Sequence, residues 1–457
     1  MAQLDANEAA LARRLGVIEA PYIPPAEKFY HSNYILDGCV AADLRTAFGY
    51  YRSSEKQLNS FRKTQRPDGM VPGVSHPPKK FFVNPERWLS TRPFESNDYT
   101  QSASWAHSVL ILHDAASSKP PVSREQSIDA DKFLREVYPD LLRYYDYFIN
   151  YRQIAPDDPR VFILHPHEAN RDSGPEYDGW KRQEMEKLLG AAAVYFERQP
   201  RTGEHMPAGF NRANRRNDYF GALAINLVGY KSGWDPARIR ERGEFVDVWF
   251  NCLLHESYQA MSILAGRLHK DEDEGRFGGL ALALEKNIIS KHHFAASRNG
   301  KGAFYSTYNG LAAYSDTVGN LASMLLPNLP PQQLRSNLIL MREGFNPRFP
   351  LPSVATFDTA NYDPHYEEYD RHWRGPSWAV ANRIVMRSLD IQMRRENIPQ
   401  DLHIDCSEWF YRLHNSNLEM VELTGDYAEH NSPITGLGQR MRRTRGHTFG
   451  VAAHMPI

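Results

Sequence analysis

The chain has 457 residues, 41% hydrophobic and 24% charged, enough apolar material for a full core in one large domain or two to three ordinary ones. With 54 basic and 55 acidic side chains the formal net charge is −1, so no broad field favours nucleic acid or a membrane surface. No stretch approaches the roughly 18 apolar residues of a membrane span, the N-terminal MAQLDANEAALARRLG has no apolar signal core, and Cys39, Cys252 and Cys406 are too scattered for a disulfide framework or zinc site. A cytoplasmic protein is expected.

Helical periodicity recurs along the chain and alternating strands are scarce. Asp37 is predicted to cap a helix running through Phe48, and a second runs from Ser54 to Thr64 and stops at the turn QRPDGMVPG. Thr100 to Ala115 is the third, and Asp129 to Tyr151 is a long fourth that Pro139 is expected to kink or split. Helical patterns return at Asp218 to Tyr230, Val246 to Leu268, Gly275 to His292, Asp316 to Leu326, Pro331 to Glu343, Pro376 to Arg394 and Asp401 to Asn415, with short hairpins around Ala303 to Tyr308. No composition break marks a linker, and no fixed-period repeat marks a solenoid. Residues 346 to 376 mix Pro, Tyr and Asp with Phe, Trp and Val, which reads as a long ordered loop of the functional kind. A single domain over residues 1–457 is expected, its helix count compatible with a ring of paired helices.

Three stretches carry chemistry. Residues His165 to Trp180 read HPHEANRDSGPEYDGW, with acids at Glu168, Asp172, Glu176 and Asp178, and Gly174-Pro175 rules out a helix there. Several carboxylates in a loop beside aromatics suit proton transfer, because charge and burial separate their pKa values; the plainer alternative is a solvated acidic turn. Near the C-terminus, Tyr427 to Gly436 read YAEHNSPITG, which sets Glu429 before a Pro-Gly turn; alone, that is an ordinary surface glutamate. His372 to Trp378 read HWRGPSW: Pro376 opens a helix, Trp373 and Trp378 offer flat faces for stacking, and Arg374 offers a forked donor. Aromatic packing at a helix N-terminus is the competing account. His165 and His167, two apart and followed by Glu168, could be metal ligands, but no third ligand is evident. His292-His293 reads as a capping or solvated pair, and Leu321 to Leu326 as core.

These stretches resemble glycoside hydrolase family 63, in its mannosylglycerate and glucosylglycerate hydrolase branch. The first aligns without a gap to H-P-W-E-S-G-x-D-N-S-P-x-W-D, the second to a Glu followed by Y/N-x-P-x-T-G, and the third to Y-W-R-G-P-V-W. The resemblance implies an all-α (α/α)6 toroid, a six-hairpin barrel with short β-hairpins in its loops. It implies an inverting hydrolase of a small α-glycoside, an α-glucoside or α-mannoside with a short or anionic aglycone. Asp172 then becomes the general acid and Glu429 the general base. The two lie 257 positions apart, from 172 to 429, and must meet through tertiary structure. Inverting enzymes hold such a pair roughly 6.5–9.5 Å apart, with room for a water between.

Weaker matches add sugar contacts. Tyr30 to Asp37, YHSNYILD, resembles Y-x-x-x-W-x-W-D with Tyr34 and Leu36 in place of the tryptophans. Asp98 to Ala103, DYTQSA, resembles a T-Q-P-P turn without its prolines, and offers Gln101. The implied substrate-binding set is Tyr30, Tyr34, Asp37, Gln101, His167, Asn170, Arg171, Asp178, His372, Trp373, Arg374, Gly375 and Trp378. QRPDGMVP and Phe250-Asn251 match family positions of structural character. Departures at Leu36, His167 and Glu168-Ala169-Asn170 keep both carboxylates but change the pocket, and Arg440, Arg442, Arg443 and Arg445 suggest an anionic aglycone. No organic cofactor or metal is called for, the partner is a small carbohydrate, and homo-oligomerisation stays open. Two rivals remain: another carbohydrate-active toroid, such as a sugar epimerase or lyase, and a non-catalytic sugar-binding protein.

Overall fold

The computed structural model describes residues 1–15, 22–24, 32–75, 96–171, 173–189, 221, 223–295, 302–359, 361–363, 373–425, 428 and 430–438. Within them the principal helices are α1 (Ala2–Leu15), α2 (Ile35–Ala47), α3 (Tyr51–Arg62), α4 (Trp105–Ser118), α5 (Ala130–Tyr151), α6 (Asp178–Leu189), α7 (223–232), α8 (Pro236–Arg240), α9 (Val248–Arg267), α10 (Asp271–Lys291), α11 (Pro331–Gly344), α12 (Ala379–Met393) and α13 (Gln400–Thr424).

Burial sorts these helices into two rings. Helix α2 buries every residue from Ile35 to Thr46, α9 is buried over most of its length, and a 3-10 segment, Val318–Leu325, is buried throughout. Such all-round burial means packing on every side, the signature of an inner position. Helices α10 and α13 instead bury one stripe at helical spacing, Phe277, Ala281, Leu284 and Ile288 in the first and Leu402, Cys406, Trp409, Leu413 and Met420 in the second. Around the inner ring α2 packs on α4, α4 on α9, α9 on the 3-10 segment, and that segment on α12; α3, α5, α10 and α13 lie outside against α2, α4, α9 and α12 respectively. Arg383 of α12 reaches Asp43 of α2 at 3.4 Å and closes the circuit. Across the axis, Arg387 of α12 pairs with Glu256 of α9 and lies 3.2 Å from Nε2 of His107 in α4. This is an (α/α)6 toroid, and one cluster of buried side chains runs through it from Leu4 to Leu413.

Several expectations change in detail. Tyr34 holds the N-cap position of α2, so Asp37 sits inside its first turn and does not cap it. Pro139 leaves α5 unbroken, because Phe133, Val137, Leu141, Tyr144 and Phe148 stay buried on both sides of it and tertiary packing outweighs the missing backbone bond. The helix expected over Asp316 to Leu326 is the 3-10 segment. The hairpin expected near Ala303 to Tyr308 is two ladders: Ala303–Phe304 pairs with His293–Phe294, and Thr307–Tyr308 turns back onto Leu311–Ala312. Asn309 and Gly310, at φ of 50° and 77°, make that two-residue turn. His292 is not solvated: it is buried, its Nδ1 lies 2.7 Å from the Tyr305 carbonyl, and its Nε2 lies 3.0 Å from Arg160. Cys39, Cys252 and Cys406 are buried and unpaired, and among the described residues no helix is long and apolar enough to cross a membrane.

The short strands have positional meaning. Asn33–Tyr34 pairs with Val74–Ser75 just before α2, Phe245–Val246 with Thr307–Tyr308 just before α9, and Ser377–Trp378 with His430–Asn431 just before α12. Each ladder clamps the loop entering the N-terminal end of an inner helix, so one mouth of the toroid is edged by cross-linked loops.

Candidate active site

A hydrogen-bonded rim runs around that mouth. Ile35 N donates to the Gly73 carbonyl at 3.2 Å, and Gly73 N donates to the Tyr99 carbonyl at 2.8 Å. Thr100 N then donates to Glu168 Oε1 at 3.0 Å, and Ser102 N meets Asn170 Oδ1 at 3.4 Å. The rim therefore ties Tyr34 and Asp37 to the Gln101 turn, and that turn to the acidic loop. Asp37 and Gln101 are buried. Burial pushes the Asp37 carboxyl up to about 7, against a smaller lowering by its backbone hydrogen bond.

The acidic loop is rigid for reasons its composition does not reveal. Pro166 opens a 3-10 turn, Pro166–Ala169, which ends at Asn170 in the left-handed conformation, φ 58°. Glu168 is fully buried against Arg152, which donates to Oε1 at 3.2 Å and to Oε2 at 2.6 Å, and Leu164 N adds a further bond at 2.6 Å. Burial works to lower the Arg152 pKa, yet the adjacent Glu168 charge carries it above its ordinary value. His167 accepts or donates at 2.9 Å to the Tyr99 hydroxyl, whose ring stacks on His165 at 4.6 Å, and Trp234 packs beside it at 5.5 Å. These two histidines are thus engaged with Tyr99, and among the described residues no group of three or more His, Cys, Asp and Glu side chains could hold a metal.

Arg171, expected to touch substrate, is engaged internally. Its guanidinium pairs with Glu176, donates to Asp247 Oδ2 at 2.8 Å and to Thr317 Oγ1 at 3.3 Å, and lies over Trp249 at 5.4 Å. Asp247 caps α9 through Phe250 N at 2.8 Å, so Arg171 bolts the loop to an inner helix. Gly319 makes room for it, since a Cβ there would overlap the guanidinium. Burial raises the Glu176 carboxyl, with Arg171 opposing.

The HWRGPSW motif joins the two carboxylate-bearing loops. Trp373 N donates to Ser173 Oγ at 3.1 Å, Arg374 donates to Asp178 Oδ1 at 2.5 Å and to Asn361 Oδ1 at 3.3 Å, and Gly375 N donates to Ser353 Oγ at 2.8 Å. Trp373 and Trp378 do not each offer a free face: their rings stack on one another at 4.2 Å and 5°, both buried. Trp378 in turn packs on His430 at 4.8 Å and pairs with it in the ladder. Asp172, Glu429, Tyr30, His372 and the arginines 440, 442, 443 and 445 lie outside the described residues, although Arg171 and Ser173 flank the first and Ala428 and His430 the second.

Residue-by-residue reading missed Tyr99, Arg152, Glu168 as an anchor, Ser173, Asp247 and His430. Asp247 was readable as an Asp preceding an apolar helix, a common N-cap pattern. Arg152, at the end of a long helix, gives no local signal of a partner sixteen residues on.

Likeness to known proteins extends over most of the chain. The profile of the mannosylglycerate hydrolase MGH1-like glycoside hydrolase domain matches residues 42–450. The chain is 26% identical over 431 residues to the mannosylglycerate hydrolase of Thermus thermophilus, covering 91% of this chain and 92% of that one. It is 24% identical over 445 residues to mannosylglycerate hydrolase MGH1 of Selaginella moellendorffii, covering 91% and 78%. A GH63 mannosylglycerate hydrolase from Thermus thermophilus, crystallised in complex with glucose, superposes with a TM-score of 0.71 at 20% identity, over 99% of this chain and 98% of that one. Neutral trehalase Nth1 from Saccharomyces cerevisiae follows at 0.58 and 11% identity, over 95% and 72%. The superpositions fix the toroidal fold, and the profile, running through all three motifs, goes further: this chain belongs to the MGH1-like glycoside hydrolases and is a glycosidase.

Proposed function

We propose that the chain is an inverting hydrolase of a small α-mannoside or α-glucoside with a short anionic aglycone of the glycerate type. The relatives named for mannosylglycerate support the substrate class. One observation carries the assignment of roles: Ser173, next to Asp172, and His430, next to Glu429, both abut the stacked Trp373–Trp378 pair, so the two loops converge on one point of the rim. Asp172 is the general acid. It gives its proton to the glycosidic oxygen as the anomeric C–O bond breaks. Glu429 is the general base, taking a proton from the water that attacks the opposite face. Asp37, Gln101, Arg374 and the rim around them, with Tyr30, Tyr34, His167, Asn170, Asp178, His372 and Gly375, form the sugar pocket. The chain acts as one domain, and three unpaired buried cysteines accord with a reducing, cytoplasmic setting.

A proton NMR time course on α-mannosides and α-glucosides, with glyceryl, glycerate and disaccharide aglycones, tests this. The β-anomer should appear first, and Asp172→Asn and Glu429→Gln should each abolish turnover. First release of the α-anomer would overturn the base assignment, and saturable binding without turnover would overturn hydrolysis in favour of a sugar-binding protein.

A further inference from the structure

We propose that Ser173, Trp373 and Trp378 are positioning residues that form a rigid strut between the two carboxylate-bearing loops and so set the distance between acid and base. The inference rests on the roles assigned above to Asp172 and Glu429. Its parts are all buried and all fixed. Ser173 Oγ accepts from Trp373 N at 3.1 Å, and Trp373 lies flat on Trp378 with ring centroids 4.2 Å apart and planes 5° from parallel. Trp378 then meets His430 twice, as its ladder partner and through rings 4.8 Å apart. The turn between the tryptophans cannot slide, because Ser353 holds it from both directions: Gly375 N donates to Ser353 Oγ at 2.8 Å, and Ser353 N donates to the Pro376 carbonyl at 2.9 Å. Ser377 Oγ adds a bond to the Pro350 carbonyl at 3.0 Å. The strut is therefore anchored one residue from Asp172 at one end and one residue from Glu429 at the other.

The chemistry gives that anchoring a purpose. Inverting and retaining glycosidases differ by only about 1–4 Å in carboxylate separation, and a water must fit between the pair in the first. A parallel ring stack in a close-packed setting resists compression, since interiors pack at crystal-like density. It also means that the inner faces of both tryptophans are occupied by each other, so the motif serves spacing at least as much as sugar contact.

The test separates acid placement from folding by the leaving group. Glycosyl fluorides need little protonation of the departing group, whereas alkyl glycosides need it fully. For Ser173→Ala, which removes only the bond to Trp373 N, kcat on a methyl or glyceryl α-glycoside should fall about 10²-fold, the low end of a general acid's contribution. On the matching α-glycosyl fluoride it should change less than about threefold, with KM unchanged and the thermal midpoint lowered only by the few degrees that one lost buried hydrogen bond brings. Trp378→Phe thins the strut at the base end, so both substrates should lose kcat, and added azide should restore consumption of the fluoride as the β-glycosyl azide. An equal loss on both substrates for Ser173→Ala, an unchanged ratio, or no azide rescue in Trp378→Phe would overturn the strut. Asp172→Asn and Glu429→Gln run alongside keep the two failures apart. If they retain alkyl-glycoside turnover, the acid–base assignment has failed; if they abolish it while both strut variants match wild type, the strut alone has failed.

Discussion

Glu168→Gln is expected to be the most damaging isosteric change in the acidic loop, although Glu168 takes no part in the chemistry. Its two carboxylate oxygens accept four bonds, from Thr100 N and Arg152 Nη1 at Oε1 and from Arg152 Nη2 and Leu164 N at Oε2. An amide keeps one oxygen and turns an NH2 group toward two donors, so two bonds become donor–donor contacts. Arg152 would remain buried without a counter-charge, keeping one bond to the amide oxygen besides those to the Phe162 carbonyl at 2.7–3.0 Å and the Tyr147 hydroxyl at 3.3 Å. Breaking one side of a buried pair costs about 3–5 kcal/mol, against a total stability of roughly 5–15 kcal/mol. Urea unfolding with an unchanged slope should report that loss. Arg152→Met combined with Glu168→Gln should cost about 1–3 kcal/mol less than the two singles added. Because Thr100 precedes Gln101, KM should also rise in whatever fraction stays folded. A loss below about 1 kcal/mol, or strict additivity of the two substitutions, would refute the view that this pair pins the loop.

Three further outcomes are expected. Arg171→Lys keeps the charge but not the fork that spans Glu176 and Asp247, so stability should drop by about 1–3 kcal/mol while KM stays near wild type; a rise in KM alone would return Arg171 to the substrate. Arg387→Met strips the buried Glu256 of the cation that opposes its burial-raised pKa; the loss in urea unfolding should be about 3–5 kcal/mol, and Glu256→Gln in the same chain should recover part of it. Burial lowers His292 from 6.5 to about 4, with Arg160 acting in the same direction. A depressed histidine favours the fold above its unfolded pKa and loses that contribution as pH falls through the window between the two values, at about 1.4 kcal/mol per pH unit. The urea midpoint should therefore decline between pH 6.5 and 4, and less steeply in His292→Gln, whose amide can still donate to Tyr305 and accept from Arg160.

Much of the fold was legible because its signals are local and periodic. The stripe Phe277, Ala281, Leu284, Ile288 recurs at helical spacing within one helix, and so does the stripe on α13, so both were found to within a few residues, apart from the C-terminal end of α13. The errors lie where tertiary packing overrules local preference. Pro139 should break a helix, but buried aromatics on both sides hold α5 together. Val318–Leu325 is buried on every side and reads as a helix, yet it is wound as 3-10 in the inner ring. His292-His293 has the look of a helix end in water, and the chain returning through Tyr305, with Arg160, buries the first of them.

At the mouth of the toroid the division is sharper still. Sequence marks residues by type and neighbourhood, so His167, Asn170, Arg171 and Asp178, around Asp172, all looked like sugar contacts. Where charges end up depends on partners that sequence places far away: Asp247 for Arg171, Arg152 for Glu168. Each of these pairs is a buried or half-buried ion pair whose desolvation cost is offset only by several converging bonds. Such pairs hold loops in place and remove the freedom a binding group would need. A toroid gives its inner helices a fixed frame but leaves the entering loops to be ordered one by one. Here that ordering falls to the clamped ladders, the Glu168 anchor and the Arg171 bolt, and the residues free to meet a sugar are those the network leaves over.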